Sequence, residues 1–307
     1  MQIGTKLFYD RTSSQLDRLS SDAQKLQTQI SSGKRLSAPS DDPGAYRQLA
    51  TLAQVSADDT AYASNVTLAQ TILAQADTTL GDIGSQIQRA QELAVQANSG
   101  TLSDADRKII ATQLRGVVDD LVGLANARDG RGTPLFGAAT GDTAVTRATS
   151  GTVSFTGTGT GTPPSIPVSD NASIQPSESA EKILGGIPSG GGTTDVFALI
   201  SSFATALETP GPAATKTAAA TTLDGLKAAL DTVSGARGSI GARAARLDIE
   251  QARVEDAQAT REGTRSALED TNLSEAIVQL QKTSTILQAT QQSLARLSQL
   301  SLFDYLR

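Results

Sequence analysis

The chain has 307 residues, of which 38% are hydrophobic, 19% charged and only 3% aromatic, and its formal net charge is −6 at pH 7. It contains no Cys and no His, which excludes disulfides, thiolate and imidazole metal sites, cysteine nucleophiles and Ser–His–Asp catalysis. An acidic chain without a Lys/Arg block offers little to nucleic acid or to an anionic membrane surface.

No apolar run approaches the roughly 18 residues of a membrane span. The opening stretch, Met1 to Asp10, lacks the apolar core of a secretory signal. The expectation is a soluble protein that stays in the cytoplasm or leaves by a route without a cleaved signal. Apolar content made mostly of Ala and Leu suits long helices packed side by side.

Near the N-terminus, Leu16, Leu19, Ala23, Leu26 and Ile30 step by three and four, the seam of a coiled coil. Pro39 disfavours helix just before it, and Asp42 followed by Pro43 reads as an N-cap with a first-turn proline. The helix that follows keeps one heptad register through Tyr62, Val66, Ala69, Leu73, Ala76, Leu80, Ile83, Ile87, Ala90 and Ala94. Uninterrupted by proline from Ala45 to Gln96, it is roughly 80 Å long at 1.5 Å per residue. Asn98-Ser99-Gly100 ends it, and Ser103 with Asp106 forms a capping box for a third helix. That helix carries Ile110, Leu114, Val117, Leu121 and Leu124 on one seam and is expected to fold back on the second.

From residue 138 to 210 the chain turns rich in Gly, Thr, Ser and Pro. Val153-Ser154-Phe155 and Ile166-Pro167-Val168 read as short strands. Gly157 to Gly161 and Gly190 to Gly192 read as flexible links. Six acidic side chains face only Arg147 and Lys182 here, so this stretch holds −4 of the net charge. Helical spacing returns with Leu223, Leu226, Leu230, Val233, Ile240, Ala244 and Leu247, a seam interrupted by Arg237 and Gln251. The last helix has leucine every seven residues, at Leu273, Leu280, Leu287 and Leu294, with Ile277, Ser284, Gln291 and Ser298 as the companion line. Four of the ten aromatics, Phe8, Tyr9, Phe303 and Tyr305, lie at the extreme ends. Apolar ends without a core of their own point to burial against other molecules.

No constellation here is catalytic. Asp41 and Asp42 are adjacent carboxylates, but a helix start accounts for both. Gly157 to Gly161 lacks the Gly-Lys-Ser/Thr that would make it a phosphate loop, and Gly33-Lys34-Arg35 reads as a turn. Arg237, Arg243, Arg246, Arg253, Arg261 and Arg265 interleave with acids, as on a solvated mixed-charge face or a polar seam between subunits.

Several ordered motifs resemble the flagellin superfamily. Gln29 to Leu36 with Pro39-Ser40-Asp41-Asp42-Pro43 is similar to its N-terminal signature, and Gln91 to Thr101 with Asp106-Arg107 to its second. Asn126 and Gly132 to Gly137 are similar to the third, and Ile240 to Arg243 with Arg246-Leu247 to the place where the C-terminal half re-enters the bundle. Gly33-Lys34-Arg35 and the ending Leu300 to Leu306 favour the hook-associated junction branch over filament subunits.

The resemblance implies a mainly α fold, with long antiparallel helices from both termini forming a coiled-coil rod and a small β- and loop-rich insert. The expected parts are an N-terminal assembly helix (1–43), a helical rod in two halves (44–137 and 211–269), the insert (138–210) and a C-terminal assembly helix (270–307). The implied function is structural: self-association into a ring or short tube joining hook to filament. The rivals are a bulk filament subunit and an adhesive protein acting through the insert. Expected partners are further copies, a neighbouring hook-associated protein, filament flagellin and an export chaperone, with no nucleic acid, membrane, metal or cofactor. The expected location is the extracellular flagellum. The expected assembly interface comprises Phe8, Leu16, Leu19, Leu26, Ile30, Leu273, Leu280, Leu287, Leu294, Phe303 and Tyr305.

Overall fold

The structure is a computed structural model that describes residues 2–99, 102–137, 143–156, 164–189, 191–209 and 212–305. The glycine link expected at 157–161 lies outside them, as do Gly100 and Gly190. Among the described residues no helix is long and apolar enough to cross a membrane. The long helices are α1 (Gln2–Ser32), α2 (Pro43–Ala97), α3 (Asp104–Ala125), α6 (Pro212–Glu269) and α7 (Leu273–Tyr305), with shorter α4 (Ala180–Leu184) and α5 (Val196–Glu208). The chain forms two compact units, Asp59–Glu255 and Met1–Asp58 with Asp256–Arg307, and α2 and α6 contribute to both.

In the unit Asp59–Glu255, the heptad line of α2 is buried from Val66 to Ala94, with Ile72, Leu93 and Ala97 widening the face. Gln70 donates to Asp248 (3.1 Å), Arg237 pairs with Asp77 (2.8 and 3.1 Å), and Gly84 lies against Val233. Rising numbers on α2 meet falling numbers on α6, so the two run antiparallel. Arg237 interrupts the α6 seam because it reaches across to Asp77 at the surface. Helix α3 begins with the capping box expected of Ser103 and Asp106 and buries Ile110, Leu114, Val117 and Leu121.

Among the described residues, three antiparallel strand pairs lie between α3 and α6: β1 (Val145–Arg147) with β2 (Val153–Phe155), β3 (Ile166–Ser169) with β4 (Ala172–Ile174), and β5 (Ile187–Ser189) with β6 (Gly192–Thr194). The two strands read from sequence are β2 and β3. The helices α4 and α5 were not expected there. Asp195 caps α5, which buries Val196, Phe197, Leu199, Ile200, Phe203, Ala204 and Leu207 and packs against α3.

These residues, with Val145, Val168, Ile183, Leu184 and Ile187, join the same hydrophobic cluster as α2, α3 and α6. The segment expected as a small β- and loop-rich insert therefore supplies core to the helices. Polar contacts fasten it as well. Asn126 and Val145 exchange two hydrogen bonds of 3.0 Å, and Ala180 N–H donates to Phe136 O (2.9 Å). Arg243 donates to Gln175 O and Ser177 O (3.1 and 3.2 Å) and pairs with Glu178. Burial pushes the Glu178 carboxyl up, but Lys182 and Arg243 outweigh it and hold the group below its usual range.

In the unit Met1–Asp58 with Asp256–Arg307, α1 packs along α7. Its borders fall near residues 58 and 256, inside α2 and α6. The helix-to-helix connections at 33–42 and 270–272 thus lie within this unit.

Candidate assembly surface

Tyr9, Thr12, Leu16, Leu19, Ala23, Leu26 and Ile30 are half-buried on α1, a continuous heptad line. The other side of α1 is polar and charged, with Asp10, Arg11, Asp17, Arg18, Asp22 and Lys25. On α7 the covered line is Ala276, Leu280, Thr283, Leu287, Thr290 and Leu294, with Ala276 fully buried. The companion residues of the leucines are therefore mainly Ala276, Thr283 and Thr290; of the line through Ile277 only Ser284 is half-buried among the described side chains. Ile277 is 44% exposed and Leu273, an expected interface residue, 48% exposed. Small side chains beside each leucine let the two backbones approach, so the α1–α7 contact selects that register.

The expected residues thus fall into three groups. Leu16, Leu19, Leu26, Ile30, Leu280, Leu287 and Leu294 are half-buried within one chain. Leu273 faces outward. The helical backbone of Phe8, Phe303 and Tyr305 is described, but their side chains lie outside the described set.

A clasp anchors both helices. Gly33 adopts a left-handed conformation (φ 71°) that ends α1 and turns the chain. Arg35 N–H then donates to Glu269 O (2.6 Å), its guanidinium to Leu268 O (2.8 Å), and Thr271 N–H to Gly33 O (2.9 Å). Lys34 pairs with Glu269, which also receives Arg265 (2.6 Å). Hydrogen bonding from Lys34, then from Arg265, holds the Glu269 carboxyl below the ordinary range. Leu36 is buried beneath this turn, and Gln29 donates to Arg35 O (2.8 Å).

Asp41 finishes the turn. It accepts from Lys25 (2.9 Å) and from the N–H groups of Ser37 and Ala38 (3.0 Å each), which lower its pKa to about 2. Asp42 accepts from Gly44 and Ala45 N–H at 3.0 Å and so caps α2. The adjacent carboxylates are thus turn and cap, as the sequence indicated. The partner strand of the clasp, Glu269 to Thr271, carried no sequence signal, because the pairing spans more than 230 residues.

The α1–α7 pair thus presents a seam that is largely half-buried within one chain and held at its base by a backbone clasp. Models of the bacterial flagellin N-terminal and C-terminal helical regions match residues 3–140 and 223–306. The chain belongs to the bacterial flagellin family. Flagellar hook-associated protein 3 of Salmonella typhimurium is 40% identical over 136 residues, 44% of this chain and 43% of that protein. The Escherichia coli protein of the same name is 36% identical over the same shares, and a Listeria monocytogenes flagellin 26% identical over 121 residues, 39% of this chain and 42% of that one. The matches span less than half the length of these relatives.

Among solved structures, a provisionally assigned hook-associated protein of Vibrio parahaemolyticus aligns with a TM-score of 0.67 at 24% identity, over 75% of this chain and all of that one. Xanthomonas campestris FlgL aligns with a TM-score of 0.62 at 21% identity, over 70% and 99%. These likenesses show the fold over about three quarters of the chain. The flagellin motifs read from the sequence map to structural joints: the first forms the clasp, and the third fastens α3 to the hairpins.

Proposed function

We propose that this chain is a structural component of the bacterial flagellum whose copies assemble through α1 and α7 into a ring or short tube joining hook to filament. The observation that carries the reading is the α1–α7 seam, which holds apolar side chains along both helices and is largely only half-buried within one chain. In an assembly each terminal helix gains further neighbours, and the first contacts raise the effective concentration for the next. Greater identity to hook-associated protein 3 than to flagellin favours the junction over the bulk filament.

The reading includes export without a cleaved signal, an extracellular location, a neighbouring hook-associated protein and filament flagellin as partners, an export chaperone, and no catalytic activity. Deleting the gene tests it. The expected phenotype is hooks without attached filaments, with filament subunits lost to the medium. Filaments that remain attached in the deletion strain overturn the reading. Copy number separates the junction from a filament subunit, at a few copies per filament against thousands.

A further inference from the structure

Two chain segments lead into the α1–α7 pair, and they meet each other in the clasp. The link from α6 to α7 is only residues 270–272, so α7 starts where α6 stops. The link from α1 to α2 is residues 33–42, which would span roughly 30 Å if extended. That tether alone does not hold α1 at one level.

The seam does little to hold it either. Its leucines recur every seven residues, at Leu280, Leu287 and Leu294 on α7 and at Leu19 and Leu26 on α1. Sliding α1 by one heptad, about 10 Å, turns its apolar line by only about 20°. Leucine stays in the seam, at the loss of one heptad of overlap. The small residues of α7 choose which of its sides faces α1; they do not choose the level.

The clasp does. Hydrogen bonds are short and directional. Those from Thr271 N–H to Gly33 O (2.9 Å), Arg35 N–H to Glu269 O (2.6 Å) and the Arg35 guanidinium to Leu268 O (2.8 Å) form at one level only. Lys34 and Asp270 face each other among them as an antiparallel bridge pair. Burial is deepest at the same end. Leu36 lies beneath the turn, and Ala276, in the first turn of α7, is the only buried residue among the described side chains of α1 and α7.

We propose that the clasp is the positioning device of the assembly surface: Gly33, Arg35 and the backbone from Leu268 to Thr271 fix the level of α1 against α7. Every copy then presents the same two-helix surface. A ring or tube repeats one contact, and copies with α1 at different levels do not offer one contact to repeat. The consequence for assembly rests on the junction role proposed above; the level itself is a property of the single chain.

The chain has no cysteine, so the clasp can be broken and then replaced by one covalent bond. Gly33→Val with Arg35→Ala breaks it, because a β-branched residue strains the left-handed position and the guanidinium contact goes. In the deletion strain this variant is expected to attach filaments roughly tenfold less often, the effect of losing one or two hydrogen bonds. Lys34→Cys with Asp270→Cys is then added. Antiparallel partners stand about 4.5–5.5 Å apart at Cα, within the range of a disulfide. Oxidation is expected to restore attachment, and reductant in the medium to remove it again.

Parental attachment by the broken variant overturns the proposal. So does a disulfide that forms in the broken chain without restoring attachment. A cysteine pair that stays reduced in the purified chain with Gly33 and Arg35 intact overturns it too, because the two positions then do not face each other. A disulfide that forms in that chain and is lost when the clasp is broken supports it directly. Filaments that remain attached without the gene refute the junction role and leave the disulfide result standing.

Discussion

Phe203→Ala is the sharpest test of whether 143–209 belongs to the helical core. Phe203 is 1% exposed on α5, a helix whose buried face joins one cluster with α2, α3 and α6. Truncating a fully buried phenylalanine removes its transfer free energy and leaves a cavity, a loss of about 3–5 kcal/mol. For a cooperative unit of this size, each kcal/mol shifts the midpoint by about 2–4 °C, so the expected drop is about 6–20 °C. The assay is the thermal melt of helical circular dichroism, a signal that comes mainly from α2, α3 and α6 and only slightly from α5. Ser202→Ala, one residue away and exposed, should leave the melt within about 1 °C. An unchanged helical midpoint in Phe203→Ala, or a separate early transition with the main one unmoved, would refute the reasoning and show that this segment folds apart from the helices.

Gly235 lies inside α6 with open space around a built Cβ, so Gly235→Ala should stabilise the unit by about 0.5–1 kcal/mol and raise the same midpoint. Leu287→Asp should leave the melt of Asp59–Glu255 unmoved, increase proteolysis of α1 and α7, and abolish filament attachment; normal swimming counts against it. Asp41 has a folded pKa of about 2, below the unfolded carboxylate value of about 3.9. The stability it contributes is therefore complete above pH of about 4 and is lost as pH falls towards about 2. Hydrogen exchange at 33–42 should accelerate across that window, and Asp41→Asn should be fast already at neutral pH and flat through it.

What the sequence made legible follows from how local each signal is. The α2 seam, the Ser103–Asp106 capping box and the Asp42-Pro43 start are set by neighbours within a few residues, and all appear as read. Helix α5 carried a legible signal too: Val196, Ile200, Phe203 and Leu207 step by four, three and four. The surrounding Gly and Thr dominate the local composition and mask it, and thirteen residues between turns are short enough to read as strand and loop. The clasp is different in kind. Arg35 meets Glu269 through backbone groups, which any sequence possesses, so no spacing could announce it.

The α7 register shows where periodicity alone stops. Leucine every seven residues fixes one line on a helix but leaves open which side the second line takes, since three or four residues away are equally good heptad positions. Hydrophobicity favoured the line through Ile277. The structure takes the line through Ala276, Thr283 and Thr290, where smaller side chains admit α1 closely, and turns Ile277 and Val278 outward. For an isolated chain this is a poor bargain, because two β-branched apolar residues stay in water while threonines occupy the seam. It makes sense if α7 must satisfy two partners at once. A helix that spent all its apolar side chains on α1 would form a tighter monomer with nothing left for the next copy. The weak intramolecular seam and the exposed first turns of α7 are then one compromise, and strengthening the seam with Thr283→Leu and Thr290→Leu should stabilise the α1–α7 pair without improving assembly.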